Sequence, residues 1–440
     1  MTSLAAPAAP REFGSRGRDA RRLSRSRVLP IGRCLCLLVV STIVAPRGAV
    51  AGEPPVTAER PKSNAPYFDR RALPLEYVGP GREDAEDANV SEVRIGYFGP
   101  DSPAHPDGGD LWCAASLAIE EANLEGGYGG KPFRLVARWS DDPWTGGAAH
   151  VTRMVYTERV WAILGGIDST STHLAEQVAA KALLPLVCAS SSDRTTNSAI
   201  VPWVFSLLPG NQLQAPVLAA ELADRTGRRP FVVIAGEDHE SRSFMAELAR
   251  AIATLGLAPQ FQLVYRPADS NAADVARRAI RSDPAAIVLV ADPRGTALLV
   301  RELRGTGFHG LICAGPAAGR RRFLEEVGDG VEGVIFPLLV QPGEKWPTLE
   351  AAFRERYQRS LDFAAASTYD AVHLLVAAIR KAGLNRARIG DALRELSPWN
   401  GLTGTVRWDN LGGNTRPVQL GVFVAGRVER VPARSPGRTP

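Results

Sequence analysis

From Val93 onward, short runs of apolar, mostly β-branched residues alternate with stretches of helical periodicity, and this alternation confines the chain to a layered α/β architecture. The runs Ala162-Ile163-Leu164, Leu183 to Val187, Phe231 to Ala235 and Ile287 to Ala291 are apolar throughout. A strand wetted on one face would alternate polar and apolar residues, so these runs imply parallel strands covered by helices on both faces. In the first series, strands are expected over Val93 to Phe98, Phe133 to Trp139 and Val160 to Gly165, with helices near Asp110 to Asn123 and Gly146 to Tyr156. Leu111, Ala114, Ala118 and Ala122 form one apolar stripe on the first helix; Asp110 stands where a cap belongs, and Gly126-Gly127 ends it. A second series runs through Phe231 to Gly236, Leu263 to Arg266, Ile287 to Ala291 and Leu311 to Ala314, with a helix at Thr296 to Arg304. Two Rossmann-like lobes account for the two series.

The first 51 residues are a different material: nine arginines face only Glu12 and Asp19, a surplus of seven positive charges. Behind them come the apolar run Cys34 to Ala45 and the small-residue site Ala49-Val50-Ala51. Basic flank, short apolar run and small-x-small site, in that order, read as a secretory signal peptide over 1–51. Arg21-Arg22 leaves the choice between general and twin-arginine export open, and no cysteine follows the run in a lipidation context. Removing this leader from the formal +5 leaves about −2, so the chain's basic character belongs to the leader and nucleic acid is not an expected partner. No later stretch approaches the roughly 20 apolar residues of a membrane span. Residues 52–92, rich in Pro and charge, read as an irregular N-terminal arm or linker, and 432–440 as a tail.

Motifs for catalysis and metal binding fail on inspection. Glu125 to Lys131 suggests a phosphate loop, but Glu125 and Pro132 stand where Gly and Ser or Thr are required. His239-Glu240 has no second histidine at zinc-protease spacing, no serine sits in a GxSxG elbow, and the six histidines are scattered singly. A hydrolase with Ser190 as nucleophile is the enzyme alternative, without a base to serve it. No zinc spacing or CxxC exists, so no metal and no cofactor are expected. Beyond the leader, Cys113, Cys188 and Cys313 are expected as buried thiols, with a Cys113 to Cys188 bridge as the alternative.

Five segments in order, Ile95 to Pro100, Ala118 to Gly127 (AIEEANLEGG), Asp141-Asp142-Pro143, Gly165 to Thr172 and Tyr369-Asp370-Ala371-Val372, resemble the leucine/isoleucine/valine-binding proteins, the type I periplasmic solute receptors of ABC importers. The resemblance covers about Val93 to Val431. It implies two lobes joined by three hinge crossovers, lobe one over 93–208 plus 340–415 and lobe two over 209–339 plus 416–431. It further implies a monomer in the periplasm that takes a small polar solute (an amino acid, amide or small carboxylate) and delivers it to a membrane permease. A ligand-sensing subunit for a signalling receptor is the alternative on the same fold.

Open α/β sheets bind ligands beyond the carboxyl ends of their strands, which here places the loops after Gly165, Ala189, Gly236 and Ala291 around one cleft. Ser169 and Thr170 follow a strand and open a helix, where amide donors and the helix dipole favour a carboxylate. In the resembled family the residue matching Ser169 hydrogen-bonds the ligand carboxylate; the same hydroxyls also suit simple capping. Ser190 and Ser192 match a backbone carbonyl and a hydroxyl on the amino-acid head group. Lobe two departs from the family: Gly315-Pro316-Ala317 carries no acid where one clasps the ligand ammonium, leaving Glu237, Asp238, Glu240 or Asp292 to supply the charge. Among Trp112, Trp139 and Trp144, the last is placed to line the mouth.

Overall fold

The structure, a computed structural model, describes residues 71, 75–86 and 89–432, without the side chains of Pro143 and Trp144. The leader, most of the arm and the tail from 433 lie outside the described residues. Two separate sheets form from the two series of strands. The first runs, edge to edge, Gly413–Asn414, Val204–Pro209, Leu186–Cys188, Ala162–Gly165, Val93–Phe98 and Phe133–Arg138, with every pairing parallel. The second runs Arg427–Arg430, Gln419–Val424, Ile335–Leu338, Leu311–Ala314, Ala286–Val290, Phe231–Gly236 and Gln262–Tyr265, antiparallel only at its first two pairings.

The continuous apolar runs are buried at every position in Ala162–Gly165, Leu186–Cys188, Phe231–Gly236 and Ala286–Val290, because helices cover both faces of each sheet. In the first lobe Gly109–Leu124 and the long helix Phe363–Ala382 pack together over Tyr97, Leu164 and Phe205. Asp370 of that long helix accepts from the Leu402 and Thr403 N–H groups, each at 2.8 Å, and so fastens the hairpin of Trp399–Gly401 and Gly404–Val406 to the lobe. The chain crosses between sheets three times: from Val204–Pro209 to the helix Asn211–Thr226, from Ile335–Leu338 to Trp346–Tyr357, and from Gly413–Asn414 to Gln419–Val424.

Several local expectations change. The first helix begins at Gly109 and no side chain caps it; Asp110 lies inside its first turn, bound instead by Arg321 at 2.7 Å and Arg359 at 3.1 Å. Two guanidinium partners hold this buried carboxylate more strongly than a local amide would. Residues 75–86 of the arm have no helix or strand but are docked: Tyr77 is buried and edge-on to Trp203, and Asn385 donates to the Gly81 carbonyl at 2.8 Å. Cys113, Cys188 and Cys313 are free and buried, so the alternative bridge is absent; Cys188 receives the Ser191 N–H at 3.3 Å and Cys113 packs among Leu349, Phe353 and Leu361.

Candidate functional site

Each of three strands that face the cleft is followed by a helix with an aspartate at its N-cap. Asp168 receives the Ser171 N–H at 2.7 Å and hydroxyl at 2.6 Å, Asp238 receives the Ser241 N–H at 2.9 Å, and Asp292 receives the Gly295 N–H at 3.0 Å. These caps open the helices Ser169–Ala182, His239–Thr254 and Pro293–Gly305. In the first, capping falls to Asp168 with Ser171 answering reciprocally, rather than to the Ser169 and Thr170 hydroxyls. Gly166 is obligatory in this turn: its φ is +41°, and a Cβ would stand 2.4 Å from the Thr172 nitrogen.

The three N-termini converge on a cavity of about 630 Å³ between the two sheets, bordered by the loops after eight of the strands and by residues of both lobes. That volume lies mid-range for small-molecule pockets, roughly 300–1,000 Å³. Of the residues singled out from sequence, Thr170, Ser190, Ser192, Glu240 and Asp292 border it, as do Asp238 and Ala317. Ser169 lies one layer beneath, fully buried, its hydroxyl 2.7 Å from that of Ser191. Its N–H donates to Glu240 Oε1 from lobe two, so the helix-terminus seat expected for a solute carboxylate holds the chain's own Glu240. Ser190 donates to the Gly166 carbonyl at 2.6 Å. Ser192 donates its hydroxyl to Asn211 Oδ1 and accepts the Asn211 N–H at its carbonyl, both at 2.7 Å, which ties this loop to the first crossover.

Glu237 points elsewhere, into an exposed pair with Arg266. Trp139, not Trp112, borders the cavity, beside His105; Trp112 packs on Tyr97. The Trp144 side chain lies outside the described residues.

Burial pushes the Glu240 carboxyl up to about 7, against the hydrogen bonds from Ser169. Burial likewise raises Asp292 above the usual carboxylate range, with the nearby Asp238 charge adding to it and the Gly295 N–H opposing. Among the described residues no Lys, Arg or His forms an ion pair with Glu240, Asp238 or Asp292. Three acids without an ion-pair partner thus stand on the lobe-two wall as acceptors for an ammonium or amide group of a solute, while Arg320 and Arg322, which border the same cavity, are paired with Asp362 and Asp107.

Sequence reasoning missed the contacts that join the lobes. On one flank Arg320, Arg321 and Arg322 of lobe two pair with Asp362, Asp110 and Asp107 of lobe one at 2.7, 2.7 and 2.8 Å. Burial raises the Asp362 carboxyl, but the Arg320 charge and the Ala365 and Arg321 N–H groups outweigh it and hold it below the usual range. On the other flank His239 of lobe two meets Asp193 of lobe one, which also binds His173. Hydrogen bonds to Asp193 and then Glu176 raise His173 to about 9. Of the site's groups, the three aspartate caps had a local signal, an acid two or three residues after a strand and three residues before a Ser or Gly.

Among the described residues no helix is long and apolar enough to cross a membrane. Residues 92–427 match the family described as periplasmic binding protein. A leucine binding protein from Thermotoga maritima has a similar structure, with TM-score 0.70 and 23% identity over 78% of this chain and 99% of that one. So does a branched-chain amino acid transporter substrate binding protein from Streptococcus pneumoniae in complex with isoleucine, at TM-score 0.70 and 20% identity over 77% and 99%. An ABC transporter substrate-binding protein from Desulfitobacterium hafniense in complex with Leu aligns at TM-score 0.65 and 22% identity over 77% and 100%. Among curated protein sequences nothing matches the chain. At these identities the structural likeness establishes the fold.

Proposed function

The chain belongs to the periplasmic binding protein family, and on that premise we propose that it captures a small polar solute, an amino acid, amide or related small carboxylate, and delivers it to the membrane permease of an ABC importer. The observation that carries this reading is the cavity of about 630 Å³ that both sheets wall with the loops after their strands. The lobes, over 93–208 plus 340–415 and 209–339 plus 416–431, hinge at the three crossovers and shut on the solute. Asp292 and Glu240 face its ammonium or amide group, in place of the acid that Ala317 does not supply. Thr170 and Ser190 offer hydroxyls from lobe one, while Phe244, Val290, Leu339 and Phe363 offer an apolar surface for a side chain. The leucine and isoleucine carried by two of the similar structures support an amino acid over other polar solutes.

The protein works as a periplasmic monomer and acts by binding alone; Ser190, the one serine weighed as a nucleophile, spends its proton on the Gly166 carbonyl. Charge-assisted hydrogen bonds of about 1.5–3 kcal/mol each, with burial of an apolar tail, suffice for the roughly −8 kcal/mol of a micromolar complex. The test is a thermal-shift screen of amino acids, amides and small carboxylates, followed by calorimetry on those that stabilise the protein. A one-to-one complex in the micromolar range without turnover is expected. If no compound of these classes at millimolar concentration raises the melting temperature, or if a bound one is chemically altered, the reading fails.

A further inference from the structure

Three side chains that no sequence spacing connects meet at one rim of the cleft. His173 lies on Ser169–Ala182, Asp193 follows Leu186–Cys188, and His239 opens His239–Thr254 in the other lobe. Both imidazoles aim Nε2 at a single oxygen, Asp193 Oδ2, at 3.2 Å from His173 and 2.7 Å from His239. The second carboxylate oxygen, Oδ1, is taken by the Thr195 N–H at 2.8 Å and hydroxyl at 2.9 Å, so Oδ2 is fixed toward the rings. Behind His173, Nδ1 lies 3.3 Å from Oε2 of Glu176, a residue only 6% exposed. A carboxylate on the far ring nitrogen is the outer partner that metal-ligating histidines nearly always have, since it fixes the ring and leaves Nε2 for the ion.

We propose that His173 Nε2, Asp193 Oδ2 and His239 Nε2 bind one divalent transition-metal ion of the zinc type, and that the ion pins the two lobes together at the rim of the solute cleft. The three atoms already lie within 4.8 Å of one another. Ligands of a tetrahedral zinc at about 2.0–2.1 Å stand about 3.3 Å apart; His173 Nε2 already stands 3.2 Å from Asp193 Oδ2, and the 2.7 Å between His239 Nε2 and that oxygen widens on binding. Two imidazoles and one carboxylate suit zinc, while calcium and magnesium seek oxygen ligands. On binding, each imidazole gives up any proton on Nε2 to solvent. His239, the most exposed of the three at 37%, borders the cavity and leaves the fourth position to water on that side. Because the set draws on both lobes, it is complete only when they are closed. Metal and solute then strengthen each other's binding by an equal factor.

The metal claim stands apart from the capture reading, and the experiment keeps them separate by titrating zinc chloride into the untagged chain without solute, and candidate solutes into the chain with a chelator present. Expected is one zinc per chain by calorimetry, weakened 100-fold or more by His239→Ala and by His173→Ala, and about 10–100-fold by Glu176→Gln. Small-angle scattering is expected to show the chain contracting on zinc addition, and His239→Ala not contracting. His239 is the more exposed ring, so its variant tests the claim even if His173→Ala fails to fold. The site is overturned by the lack of stoichiometric zinc uptake, or by uptake that His239→Ala leaves within threefold of the unaltered chain. Zinc bound at full affinity with no contraction overturns the pin.

Discussion

Asp362→Asn tests whether the arginine flank holds the closed form. The carboxylate is 3% exposed and receives Arg320 Nε at 2.7 Å, the Arg321 N–H at 3.1 Å and, on its other oxygen, the Ala365 N–H at 2.9 Å. Asparagine caps helices about as well as aspartate and keeps the Ala365 bond with its one carbonyl oxygen, so the cap itself costs little. What is lost is the buried charge facing Arg320, whose side chain is 15% exposed. Breaking a buried pair costs about 3–5 kcal/mol. Arg320 keeps its bond to the Asp107 carbonyl at 3.0 Å, which places the expected cost at the low end, about 3 kcal/mol. Because Arg320 and Asp362 belong to different lobes, opening releases the pair to water, and the same loss is expected as about 100-fold weaker solute binding. The folded carboxyl titrates below its ordinary value of 3.8, so this stabilisation is fully present above about pH 4 and is lost as pH falls through the lower folded value. Urea denaturation of both proteins with saturating solute, which keeps the lobes closed, reads the gap at pH 7 and in acid, and calorimetry at pH 7 reads the affinity. A gap under about 1 kcal/mol at neutral pH, or one that persists undiminished in acid, refutes the reasoning.

Three further outcomes are expected. Asp292→Asn removes the lobe-two charge offered to an ammonium group and weakens an amino-acid solute by about 10–100-fold in calorimetry, worth about 1.5–3 kcal/mol; equal affinity of the variant means the solute's cation lies elsewhere. Glu240→Ala frees the Ser169 N–H, so acetate at tens of millimolar should raise the variant's melting temperature and leave the parent's unchanged; the same response from both shows that Glu240 does not guard an anion seat. Cys113, Cys188 and Cys313 should resist maleimide until the chain is unfolded, because burial raises all three thiols, Cys313 to about 12; mass spectrometry showing modification of the native protein at any of them contradicts the packing.

The apolar runs and the helix periodicities by themselves determined the layered α/β class and the grouping of strands into two series, because burial on both faces of a parallel sheet leaves a continuous mark along a strand. They also placed the loops after Gly165, Ala189, Gly236 and Ala291 on one cleft, since the carboxyl ends of parallel strands share a side. The tertiary structure decided which groups those loops turn to each other. Ser169 was legible as a helix start, yet its amide is taken by Glu240, 71 residues away. His173 and His239 were two scattered histidines until Asp193, 20 residues from one and 46 from the other, drew both onto one oxygen. Arg320 to Arg322 grip three aspartates of the facing lobe, a pairing that no spacing in the sequence announces. Periodicity records what a residue buries along its own element. A charge pair across a cleft is fixed by how two separately folded sheets come together, and that leaves no period in the chain.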